Sequence, residues 1–481
     1  MRTTRRGARR RDDAEENAEN THPQFLFSGF SALISGLRMP TSLPRRFNFQ
    51  DVQYAGPRFY YRSGLQSIYI GIKSSMSSST KRNEIICQPC LDWRKTLGAC
   101  LALLLLSCSH SSPTVAQTAA AQTEPPPDAV PHSREANDVG RFLAGLPGTP
   151  DSPFSELEQQ PAWILHRQAL DKAWASIEAK NLASMREFQA KELTSPPIPD
   201  SLVFYPFSGP DALMLTVFFP HNPTYVLVAL EPPGTLPTPK QMAGKNLAKT
   251  LEETRTTLSD VLQRSFFITR QMDRQFRGQV TDGLFSPILE LLVRSNHTIL
   301  GHRMVRIGPD GKIVARGVIP PGEIGNRGVQ IEFQTDSDHS IHQLYYFSIN
   351  LSDEKMKDNK GFLTYLDGLK GVTTYFKATS YMTHHADFSI IRDQVLAKSA
   401  AVLQDDSGIP YHYFRDQPWR VQLYGEYVRP YGSFKWLEQP DLRKAYEEPD
   451  RKPLPFQIGY GFRRMPSNLL FASKTTEARK D

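Results

Sequence analysis

From about residue 138 the chain alternates between stretches with helical apolar spacing and short runs that are apolar throughout. Trp163, Leu170, Trp174 and Ile177 follow one another at spacings of 7, 4 and 3, which predicts a helix over 160–180. Leu182, Met185 and Phe188 continue in a second short helix, and Pro196-Pro197 closes this helical lead. Leu202-Val203-Phe204-Tyr205 reads as a strand, 212–219 as a short helix, and Tyr225 to Leu230 as a strand buried on both faces. Strand, short crossover and buried strand outline an α/β unit. Leu247, Leu251, Leu258 and Val261 form one stripe of a long helix over 239–264, with further helix expected at 266–277 and 284–294.

Beyond residue 295 the pattern turns strand-like. Met304–Ile307 and Ile313–Ile319 flank Gly308-Pro309-Asp310-Gly311, a hairpin signal. Val329–Phe333 and Leu344–Leu351 continue the series, Thr373–Tyr381 is strand-like, and Ile391, Val395 and Val402 mark another helix. The fold class is α/β or α+β: a mixed sheet with flanking helices after a helical lead. It forms one globular domain over 138–476, or two halves joined near 295.

The residues before this body carry a different message. Arg94-Lys95 precede an apolar run from Leu97 to Leu106, followed by Ser107-Cys108. A positive n-region, a ten-residue apolar core and a small residue at the cut make an export signal over 91–108. Ten helical residues span about 15 Å, half the hydrocarbon core, so this run reads as a signal rather than a permanent span. Leu105-Leu106-Ser107-Cys108 resembles the lipobox of bacterial lipoproteins. That resemblance implies lipidation at Cys108 and a membrane-anchored, extracytoplasmic setting, on the periplasmic face of an outer membrane where there is one. Soluble secretion is the second reading. Residues 1–90 read as a disordered or wrongly assigned leader, and 109–137, with Thr123-Glu124-Pro125-Pro126-Pro127, as a flexible tether.

Charge divides at the same place. The formal net charge is +7, yet residues 1–107 hold 16 of the 57 Lys+Arg and 8 of the 50 Asp+Glu. That leaves 41 and 42 for residues 108–481, so the body is nearly neutral. The electrostatic case for a nucleic-acid partner disappears with that division. All four cysteines lie at or before position 108, which excludes disulfides and thiolate zinc sites from the body.

Four clusters carry candidate chemistry. Ser208-Gly209-Pro210-Asp211 follows a strand and opens a helix; Ser208 or Asp211 caps that helix or helps bind a ligand. His384-His385-Ala386-Asp387 offers a general base, with Asp387 as its orienting carboxylate or as a helix cap. Asp405-Asp406-Ser407-Gly408-Ile409-Pro410 pairs adjacent carboxylates at what reads as a helix end. Asp336 to His342 groups ligand-type residues in what reads as a turn between strands. No phosphate loop, HExxH or dinucleotide fingerprint is present, and Gly459-Tyr460-Gly461-Phe462 is too short for one, so no cofactor is indicated.

The string Phe204-Tyr205-Pro206-Phe207-Ser208-Gly209-Pro210-Asp211 is the core of a wider resemblance. With Phe218-Phe219-Pro220, Leu230 to Gly234, Leu403 to Tyr411 and Leu423 to Tyr427, it resembles a family of exported bacterial proteins of unassigned activity. The likeness covers about 138–475 and implies a shared fold and an exported setting. Two functions follow. One is a lipid-anchored binding or structural module of the envelope. The other is an exported hydrolase with a site built from Ser208/Asp211, His384/His385 and Asp405/Asp406.

Overall fold

A computed structural model describes residues 129–194, 201–243, 246–264, 281–318, 324–416, 418–461 and 466–474. Cys108, the export signal and the helix expected at 266–277 lie outside the described residues.

Ten strands form one mixed sheet. They are β1 (Leu202–Pro206), β2 (Thr224–Ala229), β3 (His297–Ile307), β4 (Ile313–Ala315), β5 (Arg327–Thr335), β6 (Ile341–Ser348), β7 (Val372–Phe376), β8 (Ser399–Gln404), β9 (Trp419–Gly425) and β10 (Asn468–Lys474). Their order is β4-β3-β5-β6-β2-β1-β7-β8-β10-β9. The central five, β6-β2-β1-β7-β8, are parallel. Antiparallel strands flank them, β5, β3 and β4 on one side and β10 and β9 on the other. The mixed α/β architecture with a helical lead is as the periodicity predicts. Strands from both sides of residue 295 belong to this single sheet, and every described residue lies in one compact unit, Thr114–Asp481.

Both sheet faces are covered, which is why β1 and β2 read as continuous apolar runs. On one face Tyr205, Tyr225, Leu227 and Leu403 pack with Leu170, Met185, Leu213 and Ile288. These come from the helices Pro161–Ile177, Ala183–Glu192, Ala212–Phe218 and Phe285–Arg294. On the other, Phe204, Val226, Phe376 and Val402 meet Phe362, Ile391 and Leu442, from the helices Lys360–Gly368, Ser389–Lys398 and Pro440–Glu447. Cutting one of these fully buried aromatics to alanine costs about 3–5 kcal/mol.

Four local expectations change. The tether expected to run to 137 gives way earlier: Val130 is buried, His132 bridges Gly301, and a helix starts at Glu135. Val402 lies on strand β8 rather than on a helix, so Asp405 and Asp406 follow a strand end. Asp387 does not cap the next helix; Asp353 does, its Oδ1 accepting from the Ile390 amide at 2.9 Å. The C-terminal stretch, for which the pattern predicts no element, supplies two strands, β9 and β10.

The parallel strands contain a reversal. From β1 the chain crosses through the helix Ala212–Phe218 to β2 on one side; from β7 it crosses through Ser389–Lys398 to β8 on the other. β1 and β7 are paired, Val203 against Thr373, so their crossovers leave in opposite directions. A reversal of this kind opens a crevice at the carboxyl ends of the strands, where open α/β sheets hold ligands.

Candidate functional site at the carboxyl ends of the parallel strands

The turns after β1, β7 and β8 meet at this reversal. After β1, Phe207 and Gly209 take left-handed backbone angles (φ 60° and 55°), turning the chain so that Asp211 heads the next helix. Asp211 Oδ1 accepts from the Met214 amide at 3.3 Å, the expected cap. Its Oδ2 accepts from the Tyr205 hydroxyl at 3.0 Å and forms an ion pair with Lys377, the first residue after β7. Only 2% of the Lys377 side chain and 1% of the Asp211 side chain are exposed. Such a pair is costly to break because each charge would be left buried alone.

Pairing of Phe376 with Gln404 sets Lys377 beside Asp405. Asp405 accepts from the Ser407 amide at 3.0 Å, the Ser407 hydroxyl at 2.5 Å and the Ala378 amide at 2.8 Å. Asp406 accepts from the Tyr381 hydroxyl at 2.5 Å and from Asn468 Nδ2 at 3.2 Å. Both carboxylates are buried. Burial raises the Asp405 pKa against the pull of its hydrogen bonds and of Lys377. Burial first, and the neighbouring Asp405 charge second, push Asp406 up to about 7.

The turn after β7 is strained. Ala378, Ser380 and Tyr381 all have φ between 50° and 56°, in a region that costs a non-glycine residue about 1–3 kcal/mol. Such angles persist only where surrounding contacts over-determine them. Here they do. The Ala378 amide is held by Asp405, and Ala378 O accepts from the Tyr460 hydroxyl at 3.0 Å. The Thr379 amide donates to Ser407 Oγ at 2.9 Å, the Ser380 amide donates to Tyr460 Oη at 2.9 Å, and Tyr381 is tied to Asp406. Gly459 closes the arrangement: with φ at +59°, a Cβ there would lie 2.2 Å from Asp405 Oδ2. Only glycine lets that backbone come so near the carboxylate.

The candidate residues therefore divide. Asp211, Asp405 and Asp406 come together around the loop 377–381. His384 joins them edge-on to Tyr381, with centroids 5.1 Å apart, and through the backbone of Gly408 and Asp406. Burial lowers its pKa to about 4 and keeps it neutral near pH 7. His385 turns outward against Trp436, at 5.3 Å. Ser208 is buried and sends its hydroxyl to backbone, to Gly209 O at 2.9 Å and Val228 O at 3.5 Å. No histidine is among its hydrogen-bond partners, and a nucleophile needs a base within that reach. In the 336–342 cluster, His339 sits on the turn and His342 is a satisfied core residue. Its ring nitrogens meet Asn222 O at 2.8 Å, Ser340 Oγ at 2.8 Å and Thr335 Oγ1 at 3.1 Å.

Sequence reasoning missed Lys377, Tyr381, Gly459, Tyr460 and Asn468. The one local signal was a lysine directly after an apolar strand. The others arrive from elsewhere in the chain.

Among the described residues no group of three His, Cys, Asp or Glu side chains is placed to hold a metal ion. None of their helices is long and apolar enough to cross a membrane. No family model, curated protein or solved structure matches this chain.

Proposed function

We propose that the chain is an exported bacterial envelope protein, anchored by lipid at Cys108, that works as a binding module. Its binding face is the carboxyl edge of β1, β7 and β8. The likeness to exported proteins carrying the Tyr205 to Asp211 segment belongs to the same proposal. The observation that carries the binding face is the strained turn Ala378–Tyr381, clamped by Asp405, Asp406, Ser407 and Tyr460 at the sheet's reversal point. Anchoring rests on the apolar run ending at Ser107-Cys108 and on the near-neutral body behind it.

One observation favours the hydrolase reading: Asp406, held near 7 beside a second carboxylate, has the proton affinity of a general acid. The engagement of Ser208 with backbone weighs against it as the nucleophile.

Two experiments test the proposal. Cells expressing the chain are fed a radiolabelled fatty acid, and label should enter the wild type but not Cys108→Ala; equal labelling ends the anchoring claim. The detergent-solubilised full chain is then screened by thermal shift against neutral sugars, amino acids, amines and nucleotides. A stabilising compound should slow amide exchange at 378–385 and 405–408. A screen in which every hit protects other segments, or in which nothing binds, ends the claim for this face.

A further inference from the structure

Above the buried carboxylates lie three aromatic rings in mutual contact. Tyr381 and Phe434 have centroids 5.3 Å apart, Tyr381 and Tyr460 6.0 Å, and Phe434 and Tyr460 5.7 Å. Tyr381 and Tyr460 are rooted, their hydroxyls bonded to Asp406 and to the backbone of Ala378 and Ser380. Phe434 is not. It rides on the short 3-10 segment Gly432–Leu437, which is fixed beyond its end by Gln439. The Gln439 amide donates to Tyr427 Oη at 3.0 Å, and its Nε2 donates to Asp406 O at 2.9 Å. Leu437, at the end of the segment, is buried as well; ahead of it the segment reaches the core through the Phe434 ring and through Trp436 on His385. Gly432, at φ +61°, has no atom within 4 Å of where a Cβ would stand, so the segment can turn there without collision. Trp436 is 65% exposed and Tyr431 51%, which leaves the outer side of the segment uncovered.

The charge beneath the rings is unbalanced. Lys377 is taken up by its ion pair with Asp211, and the adjacent buried Asp405 and Asp406, both with raised pKa, share the remaining negative charge. Yet their oxygens are well supplied with hydrogen bonds, three to Asp405, two to Asp406 and three to Asp211, the Lys377 ion pair included. A guest here is therefore offered negative potential but few open acceptors.

We propose that this face takes a quaternary ammonium group, seated between Phe434 and the rooted pair Tyr381 and Tyr460 when the stretch ahead of Leu437 swings outward. The proposal rests on the reading of this face as a binding face. Such a cation has no N–H to satisfy and is drawn to aromatic faces by their quadrupole, at up to about 6 Å from the ring centroid. A sugar would need free acceptors for its hydroxyls, and an anion would meet three carboxyl groups. The neutral form of His384, whose ring meets Tyr381, adds no positive charge beside the rings.

The test uses the detergent-solubilised full chain and two probes of nearly the same shape: choline, and its uncharged isostere 3,3-dimethylbutan-1-ol. Calorimetric titration should show saturable choline binding, with the alcohol at least about tenfold weaker. Phe434→Leu, which keeps an apolar side chain but removes the quadrupole, should weaken choline by a similar factor and leave the alcohol unchanged. Asp406→Asn should also weaken choline; because that residue is buried, the half-exposed Phe434 variant decides if Asp406→Asn fails to fold. Equal affinity for the two probes, or no choline binding by a chain that melts cooperatively, overturns the proposal. If a neutral sugar from the screen binds instead and Phe434→Ala abolishes it, the ammonium assignment fails while the binding face stands. If no compound protects 378–385, both fail.

Discussion

The hydroxyl of Tyr381 reaches Asp406 Oδ2 at 2.5 Å from a backbone held at φ 56°, so one residue carries both the strain of its turn and a buried hydrogen bond. Removing the hydroxyl alone separates the two. Tyr381→Phe keeps the ring and the strained angle but leaves Asp406 with one donor fewer. We expect a loss of about 1–3 kcal/mol in chemical denaturation, because a buried acceptor is left poorly satisfied. The change also raises the Asp406 pKa further, since the lost bond favoured the charged form. An unaltered denaturation midpoint would show that the bond does not form.

The pH dependence of stability has a defined sign. The Asp406 pKa is raised in the fold from an ordinary 3.8 to about 7, so folding favours its protonated form. Its contribution is full below about pH 4, declines as pH rises through 7 and is flat above, a change on the order of several kcal/mol. His166 and His384, lowered by burial to about 4 from 6.5, tilt the other way between those values. The difference between the wild type and Asp406→Asn isolates the aspartate. That difference should shift in favour of the Asn variant as pH rises from 4 to 7, measured by denaturation at each pH. A difference independent of pH would contradict the raised pKa.

Lys377→Met should cost about 3–5 kcal/mol, since it strands the Asp211 carboxylate in the interior. Adding Asp211→Asn to that variant should recover most of the loss. Strictly additive losses in the double-mutant cycle would mean that the two side chains are not coupled.

Two glycines with nearly the same backbone angle give a matched comparison. Gly459→Ala must fit a Cβ 2.2 Å from Asp405 Oδ2, whereas Gly432→Ala meets open space at φ +61°. The Gly432 change should cost about 1–2 kcal/mol, for the left-handed angle alone. The Gly459 change should exceed it by about 2 kcal/mol or more. Melting curves of the two variants at one pH decide, and equal losses would remove Asp405 from contact with that glycine.

Local pattern explains much of what was legible in the sequence. β1 and β2 announce themselves because both of their faces are buried, and the Pro161–Ile177 helix because Trp163, Leu170 and Ile177 share one stripe. β8 escaped for the opposite reason. Ser399-Ala400-Ala401-Val402 follows the helix Ser389–Lys398 with no breaker, so Val402 kept helical phase with Val395 and made Asp405 look like a helix stop. The carboxylates were named but their setting was not, because that setting is assembled over distance. Asn468 is 62 residues from Asp406, and Tyr460 is 80 from Ser380. Periodicity sees neighbours along the chain, and these partners become neighbours only when β10 pairs with β8.

That pairing has a consequence for how the molecule is made. β10 is the last-synthesised of the ten strands, yet it lies inside the sheet, between β8 and β9. While residues 468–474 are still being delivered, β8 shows an open edge, β9 has no place to dock, and the Asn468 clasp on Asp406 does not exist. The strand-reversal site is thus completed only once residues 468–474 have been made. A nascent chain halted short of β10 stays open there.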